Sequence, residues 1–134
     1  MKNKLSTSLS GINGLVCGST SGIGKATAQE FALLGCSITL FARNEEKLNT
    51  TISSLQSSTG QQHQYLIGDF DDPDSINKII EDHIASGNQY HILVNNSGGP
   101  RGGFIVDADT SELIAGFNRH LPAVIFLLRL YYQT

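Results

Sequence analysis

The chain has 134 residues, the length of one ordinary domain, with 40% hydrophobic and 16% charged residues. This balance is typical of a globular protein and excludes a disordered chain. The formal net charge of −3 at neutral pH gives no basis for binding nucleic acid or an anionic membrane surface. We therefore predict a single domain over residues 1–134.

The cysteines and the hydropathy of the chain argue against a disulfide-rich, metal-binding, secreted or membrane protein. Cys17 and Cys36 lie in or at the entry of predicted strands, so we interpret them as small buried hydrophobic residues and not as a disulfide framework or metal site. Residues 1–10 contain lysines but no continuous apolar region typical of a secretory signal. The apolar run at residues 121–128 is too short to span a bilayer. These features predict a cytoplasmic protein without a metal site or a membrane segment.

A strand, a glycine-rich turn and a helix follow a predicted tail over residues 1–12. The strand is expected over residues 13–17, and the helix runs from about residue 23 to residue 34, where Gly35 ends it. Glycines in the turn let the backbone approach a ligand closely, and the N-terminus of the helix attracts anions. The turn is therefore predicted to hold a pyrophosphate.

A Walker A loop is the competing interpretation of this turn. It requires four residues between its glycines and a serine or threonine after its lysine. Here five residues separate Gly18 from Gly24, and Ala26 follows Lys25. The turn departs from the Walker A pattern at both places, which favours a dinucleotide-binding loop.

The rest of the chain alternates strands with helices. Apolar runs predict strands over residues 36–42, 64–68 and 91–94. Apolar residues at helical spacing predict a helix from 45 to about 55 with Asn44 as its N-cap, a helix that follows its N-cap Asp74 and stops at Gly87, and a helix from about 110 to the end. This alternation predicts an α/β fold with a doubly wound parallel sheet, in which a ligand binds at the carboxyl ends of the strands.

The spacing Gly18-x-x-x-Gly22-x-Gly24 resembles the short-chain dehydrogenase/reductase family, and the similarity covers residues 11 to about 130, about the first half of the family's usual length. It implies a Rossmann-type sheet with strand order 3-2-1-4, truncated after the fourth strand, that binds a nicotinamide dinucleotide. The loop residues that it implicates in cofactor binding are Gly18, Ser19, Thr20, Ser21, Gly22, Ile23 and Gly24.

Arg43 and Asn44 follow the second strand, where NAD-binding proteins usually place a carboxylate for the ribose 2′-hydroxyl. The strand end has no carboxylate, and a guanidinium suits a 2′-phosphate through charge-assisted bonds. Ala-Arg-Asn followed by Lys47-Leu48 is also similar to NADP-preferring members of the family. We therefore expect NADP(H) as the cofactor in preference to NAD(H). The alternative for Arg43 is a solvated arginine at a helix start.

Two further motifs follow the third and fourth strands. Asp69-Phe70 matches the family position where an aspartate contacts adenine and its neighbour adds a backbone contact, the alternative being a turn carboxylate. Asn95-Asn96-Ser97-Gly98 resembles the family's Asn-Asn-Ala-Gly, with serine in place of alanine. In that motif the first asparagine ties the central strands together, and the backbone near the glycine lines the nicotinamide ribose. An additional glycine-rich loop surrounds Pro100-Arg101.

The family's catalytic residues are Asn, Ser, Tyr and Lys, of which only the first has a candidate here. That asparagine precedes an aliphatic residue and, three positions on, a small one. His120 fits this frame with Leu121 and Ala123, and Asn118 is the second candidate. A histidine could also relay a proton. The alternative is a polar residue on the helix surface.

The family's serine strand and Tyr-x-x-x-Lys helix should follow residue 134, and neither Tyr131 nor Tyr132 has a lysine four residues later. A truncated chain, a frameshifted reading frame and a genuine short protein are all consistent with this. The resemblance implies the cofactor-binding half of an oxidoreductase that transfers hydride between NADP(H) and a small carbonyl or alcohol substrate. We expect the chain alone to be inactive and to form homo-oligomers through its last helix. The alternative is a non-catalytic dinucleotide-binding module or remnant.

Overall fold

The computed structural model describes residues 7–99 and 102–131, without the side chains of residues 121–127 and 129–131 in the last helix. Strands and helices alternate along the described chain. The strands are β1 (Asn13–Cys17), β2 (Ser37–Ala42), β3 (Gln64–Ile67) and β4 (Ile92–Val94). The α-helices are α1 (Gly22–Leu33), α2 (Glu45–Ser53), α3 (Pro73–Ala85) and α4 (Thr110–Tyr131), and a 3₁₀ turn at Ile105–Asp107 precedes α4. Each predicted strand and helix is present, but α2 ends at Ser53 and not at about residue 55. Residues 132–134 of the predicted last helix lie outside the described chain.

The four strands form one parallel sheet in the order β3-β2-β1-β4, so the predicted fold class and strand order are confirmed. β1 is flanked on one side by β2, with Leu15 opposite Thr39, and on the other by β4, with Leu15 opposite Leu93. The loop that follows β1 therefore emerges between the ends of two neighbouring strands. This places the glycine-rich turn at the middle of the sheet edge.

The apolar strands supply a core on each face of the sheet, because successive residues of a strand point to opposite faces. On one face Val16, Ile38 and Leu40 are fully buried among residues of α1 and α2. On the other face Leu15, Cys17 and Phe41 pack with residues of α3. Helices thus cover both faces, which explains why the strands are almost continuously apolar.

The two cysteines are buried free thiols, which confirms their interpretation as small hydrophobic residues. Burial raises the pKa of Cys17 to about 12 and also raises the pKa of Cys36. No group of three or more His, Cys, Asp or Glu side chains within the described ranges could hold a metal ion. Over the same residues, none of the helices combines the length and hydropathy needed to cross a membrane.

The predicted tail over residues 1–12 is wrong from residue 7 onward, while residues 1–6 lie outside the described chain. The backbone N–H of Leu9 donates to the Leu34 carbonyl at 2.8 Å, at the end of α1. Leu9 and Ile12 also pack against the core on the α1 side of the sheet. The segment is therefore packed on the domain through these two apolar residues, although its other residues are mostly polar.

The predicted N-cap of the third helix, Asp74, is also wrong. α3 begins at Pro73, and its N-cap is Asp72, whose carboxylate accepts a hydrogen bond from the Ser75 backbone N–H at 3.2 Å. Proline favours the first helical position because its fixed φ suits a helix and its missing N–H has no partner to lose there. Asp74 instead lies in the first turn, where a negative charge favours the helix dipole.

α4 lies beside α3 and leaves much of its first half exposed. Leu113, Ile114 and Phe117 are 44%, 56% and 60% exposed. Leu128, further along, is 42% exposed. The predicted contact between copies of the chain also involves apolar residues further along α4. Their side chains lie outside the described part of the chain: Leu121, Val124, Ile125 and Leu127.

Candidate functional site

A cavity of about 590 Å³ opens at the carboxyl ends of the four strands, and we call it the cleft. Its volume lies within the range of about 300–1,000 Å³ that is usual for small-molecule and cofactor sites. Each strand contributes the loop that follows it, and α4 contributes one residue. The lining residues are Gly18, Thr20, Ser21, Gly22, Ile23, Ala42, Arg43, Asn44, Lys47, Gly68, Asp69, Phe70, Asp71, Asn96, Ser97, Gly98, Gly99 and Arg119. Most of the predicted cofactor residues thus lie around one cleft.

The turn after β1 presents an uncapped helix start to the cleft. Gly18 and Gly22 have φ angles of +58° and +53°, a backbone conformation that favours glycine. A Cβ on Gly22 would meet no atom within 4 Å. Ser21 occupies the N-cap position of α1, but its side chain makes no capping hydrogen bond. The first backbone N–H groups of α1 therefore remain available for an anion.

Asn96, at the end of β4, holds this turn in place. Its side-chain amide donates to the carbonyl oxygens of Cys17 and Gly18, each at 3.3 Å. The sequence assigned the strand-tying role to the first asparagine of the motif, Asn95, but Asn95 is exposed. Neighbouring residues of an extended chain point in opposite directions, so only one of the pair faces β1.

Ser19 and Gly24 were predicted to bind the cofactor, but both are buried beneath the turn and neither lines the cleft. The Ser19 hydroxyl accepts from the Phe41 N–H at 3.1 Å and donates to the Phe41 carbonyl at 3.4 Å. It therefore joins the end of β1 to β2. A Cβ on Gly24 would lie 2.3 Å from the Gly18 carbonyl oxygen, so this glycine is required for packing of the helix against the strand.

Arg43 and Asp69, at the ends of β2 and β3, form an ion pair with Nη1 and Oδ2 3.6 Å apart. Their side chains are 69% and 43% exposed, so both are accessible to a ligand. Asn44 caps α2 by accepting from the Lys47 N–H at 2.9 Å, which confirms its predicted capping role. Phe70 lines the cleft, and its ring packs edge-to-face on Phe41 with centroids 5.3 Å apart.

α4 reaches the cleft region through two consecutive residues. His120 Nδ1 lies 2.7 Å from the Ser97 hydroxyl oxygen, and Arg119 forms a hydrogen-bonded ion pair with Asp71. The hydrogen bond and charge of Asp71 raise the pKa of Arg119. Asn118 and His120 are both exposed and neither lines the cleft, but His120 contacts Ser97, which does. Of the two candidates for the family's asparagine position, the fold brings His120 to the loop after β4.

The sequence interpretation assigned no binding role to Arg119, Asp71 or Lys47. Asp71 follows the Asp69-Phe70 motif without belonging to it, and Arg119 belongs to no motif. The available signal was the position of Arg119 directly before His120, because a helix that brings one of these residues to the strand ends brings its neighbour close as well.

Comparisons with known proteins agree with this geometry. The model of the family described as short chain dehydrogenase matches residues 13–134. The chain is 34% identical to human (Homo sapiens) retinol dehydrogenase 11 over 106 residues, which cover 78% of this chain and 33% of that protein. It is 33% identical to glucose 1-dehydrogenase of Gluconobacter oxydans over 84 residues, or 63% of this chain and 32% of that protein.

Solved structures show the same similarity. L-sorbose reductase from Gluconobacter frateurii, in complex with NADPH and L-sorbose, superimposes with a TM-score of 0.83 and 29% identity over 96% of this chain and 49% of its own. A metagenomic short-chain oxidoreductase in complex with NADP gives a TM-score of 0.79 and 30% identity over 92% of this chain and 56% of its own. The chain thus spans about a third of these curated relatives and about half of these structures.

Proposed function

Because the chain belongs to the short-chain dehydrogenase family, we propose that it binds a nicotinamide dinucleotide in the cleft, with a preference for NADP(H) over NAD(H). The observation that carries this proposal is the uncapped start of α1 beside the exposed Arg43. An open glycine turn and free backbone N–H groups suit a pyrophosphate. An accessible guanidinium at the end of β2, in place of a carboxylate, suits a 2′-phosphate.

The other loops of the cleft fit the remaining parts of such a ligand. By analogy with the family, Asp69 and Phe70 would contact the adenine, and the backbone at Gly98 would line the nicotinamide ribose. Asn96 would hold the turn in the shape that receives the pyrophosphate. A bound cofactor would supply the hydride, whereas the protein supplies binding, orientation and electrostatics.

We further propose that the chain is the cofactor-binding half of an oxidoreductase acting on a small carbonyl or alcohol compound, folded as one domain. His120 would take the place of the family's asparagine in proton relay, because Ser97 fixes its ring beside the cleft at 2.7 Å. A second candidate is a non-catalytic dinucleotide-binding module.

Titration of the purified chain with NADPH and NADH, followed by cofactor fluorescence, tests the proposal. We expect tighter binding of NADPH. Replacing Arg43 by Ala should reduce that preference by about 1.5 kcal/mol, the lower end for a hydrogen bond to a charged group, because the side chain is exposed. Lys78→Ala, which removes an exposed charge of α3 that does not line the cleft, is the matched control. Equal affinities, or a preference that Arg43→Ala leaves unchanged, would contradict the NADP assignment.

A further inference from the structure

Of the five charged side chains that line the cleft, four form two ion pairs. Arg43 pairs with Asp69, and Arg119 pairs with Asp71. The remaining charged residue of the lining is Lys47, and it makes no ion pair with the residues that the structure describes. Lys47 is therefore the cation whose charge is not already offset by a neighbouring carboxylate.

We infer that Lys47 is the second cation of a 2′-phosphate site and determines, together with Arg43, the preference for a phosphorylated adenosine. This inference rests on the proposed function and adds a specificity residue to it. A phosphate monoester carries a charge of about −1.5 to −2 at neutral pH. Arg43 alone cannot neutralise it, because Asp69 already offsets part of the guanidinium charge at 3.6 Å.

Among the described residues that line the cleft, the turn after β1 and α4 supply no further unpaired positive charge near Arg43. The turn over residues 18–23 places the hydroxyl-bearing residues Thr20 and Ser21 in the lining but contains no lysine or arginine. Arg119 comes from α4, and its Nε is committed to Asp71. Of the described lining residues, the remaining cation is therefore Lys47 of α2.

The start of α2 is well suited to present that charge. Lys47 follows Arg43 by four residues, and its backbone N–H is fixed by the Asn44 cap at 2.9 Å, so the first turn is rigid. Of the two glutamates in this turn, Glu45 accepts a hydrogen bond from the Tyr65 hydroxyl at 3.0 Å on the β3 side. The Lys47 side chain is exposed and lines the cleft, so it can bind a phosphate without breaking an ion pair to any described residue.

Calorimetric titration of Lys47→Gln tests the inference with four probes: adenosine 2′,5′-bisphosphate, NADPH, ADP and NADH. We expect about fivefold weaker binding of the first two, the size of an exposed charge–charge contact, and less than a twofold change for ADP and NADH. Raising the salt concentration should narrow the difference between variant and wild type. Lys47→Arg should restore the affinity, and Lys78→Gln, which removes the same charge outside the cleft, should have no effect.

An equal loss for phosphorylated and unphosphorylated probes would overturn the inference, because it would indicate a general electrostatic effect. So would an unchanged affinity for adenosine 2′,5′-bisphosphate in a Lys47→Gln variant that folds like the wild type. If the wild type prefers NADPH and Lys47→Gln does not alter that preference, only the role of Lys47 fails. If the wild type does not distinguish NADPH from NADH, the proposed function fails with it.

Discussion

A Cβ on Gly24 would lie 2.8 Å from the Asn96 amide nitrogen and closer still to the Gly18 carbonyl, whereas a Cβ on Gly22 would have open space around it. We therefore expect the two alanine substitutions to differ. Gly24→Ala should destabilise the fold by about 1–3 kcal/mol, as overpacking does. Gly22→Ala should weaken NADPH binding at least tenfold, because its methyl group would occupy the approach to the helix start. Urea unfolding and cofactor titration measure the two effects.

Strain at Gly22 requires a control, because its φ of +53° costs any other residue about 1–2 kcal/mol. Gly60 has a φ of +84° and equally open surroundings, in a loop outside the cleft. Gly60→Ala should therefore lose comparable stability and keep full affinity for NADPH. Loss of binding in both variants, or in neither, would contradict the role of the turn.

We expect His83 to make the free energy of unfolding depend on pH. Burial lowers its pKa, and its ring stacks on Tyr90 with centroids 5.8 Å apart. Because the folded pKa is lower than the unfolded value of about 6.5, the unfolded chain binds more protons between the two values. The free energy of unfolding should therefore fall as the pH is lowered through 6.5 and level off below the folded pKa. Urea unfolding at several pH values, with His83→Gln for comparison, measures this.

The His83→Gln variant should show a flatter pH profile, while the contributions of the other histidines remain. A wild type and variant with parallel profiles between pH 5 and 7 would show that His83 is not the group responsible. The Gln64 and Asn88 side-chain nitrogens lie 3.4 Å from the two ring nitrogens, and a glutamine can retain part of this polar contact.

For single residues, the sequence motifs predicted which residues matter but not which side chains they contact. The sequence singled out Ser97 and His120, which both depart from the family's pattern, but their 23-residue separation gave no sign that they touch. The same applies to Arg43 and Asp69, whose ion pair depends on β2 and β3 being neighbours. Residue identities were therefore predictable from spacing, whereas side-chain partners depend on rotamers and on the ends of adjacent strands.

At the scale of the element, the N-cap of α3 offers a direct comparison of two aspartates. Asp72 accepts the capping hydrogen bond from Ser75, whereas Asp74 interacts with the helix only through charge. Asp72→Ala should lower the free energy of unfolding by about 1 kcal/mol. Asp74→Ala should lower it by a few tenths, at the low end for a first-turn charge. Urea unfolding of both variants measures the difference, and equal losses would contradict the assignment of Asp72 as the cap.

The elements themselves were predictable because each has a strong local signal. Apolar runs marked the strands, Gly35 marked the end of α1, and Asn44 marked the start of α2. Packing of residues 7–12 was not predictable, because only two apolar residues carry it and their partners lie in α1 and β2. The cap of α3 was assigned two residues late, because several aspartates compete locally and the proline decides among them.

At the scale of the whole molecule, we expect the 134-residue chain to associate with itself and to lack reductase activity. β4 pairs only with β1 among the described strands, so its other edge carries unpaired backbone groups. Leu113, Ile114 and Phe117 add exposed apolar surface on α4. Size-exclusion chromatography should therefore show oligomers, and NADPH oxidation with simple carbonyl compounds should be undetectable.

We expect no activity because a general acid typically contributes about 10²–10⁴-fold, and these 134 residues contain no Tyr-x-x-x-Lys pair. Tight NADPH binding without oxidation would fit both the enzyme half and the non-catalytic module. An active monomer would contradict the expectation and would place the general acid on a residue other than this pair.

The hydrogen bonds from the Asn96 side chain to the Cys17 and Gly18 carbonyls also determine when the glycine turn takes its final shape during synthesis. The partners are separated by 79 and 78 residues. At roughly 5–20 residues per second, the ribosome completes Asn96 about 4–16 s after the turn it supports. During that interval the nascent chain carries a complete glycine motif without the side chain that shapes it. Affinity for a dinucleotide should therefore arise late and abruptly, when β4 joins the sheet, and not gradually as the motif emerges.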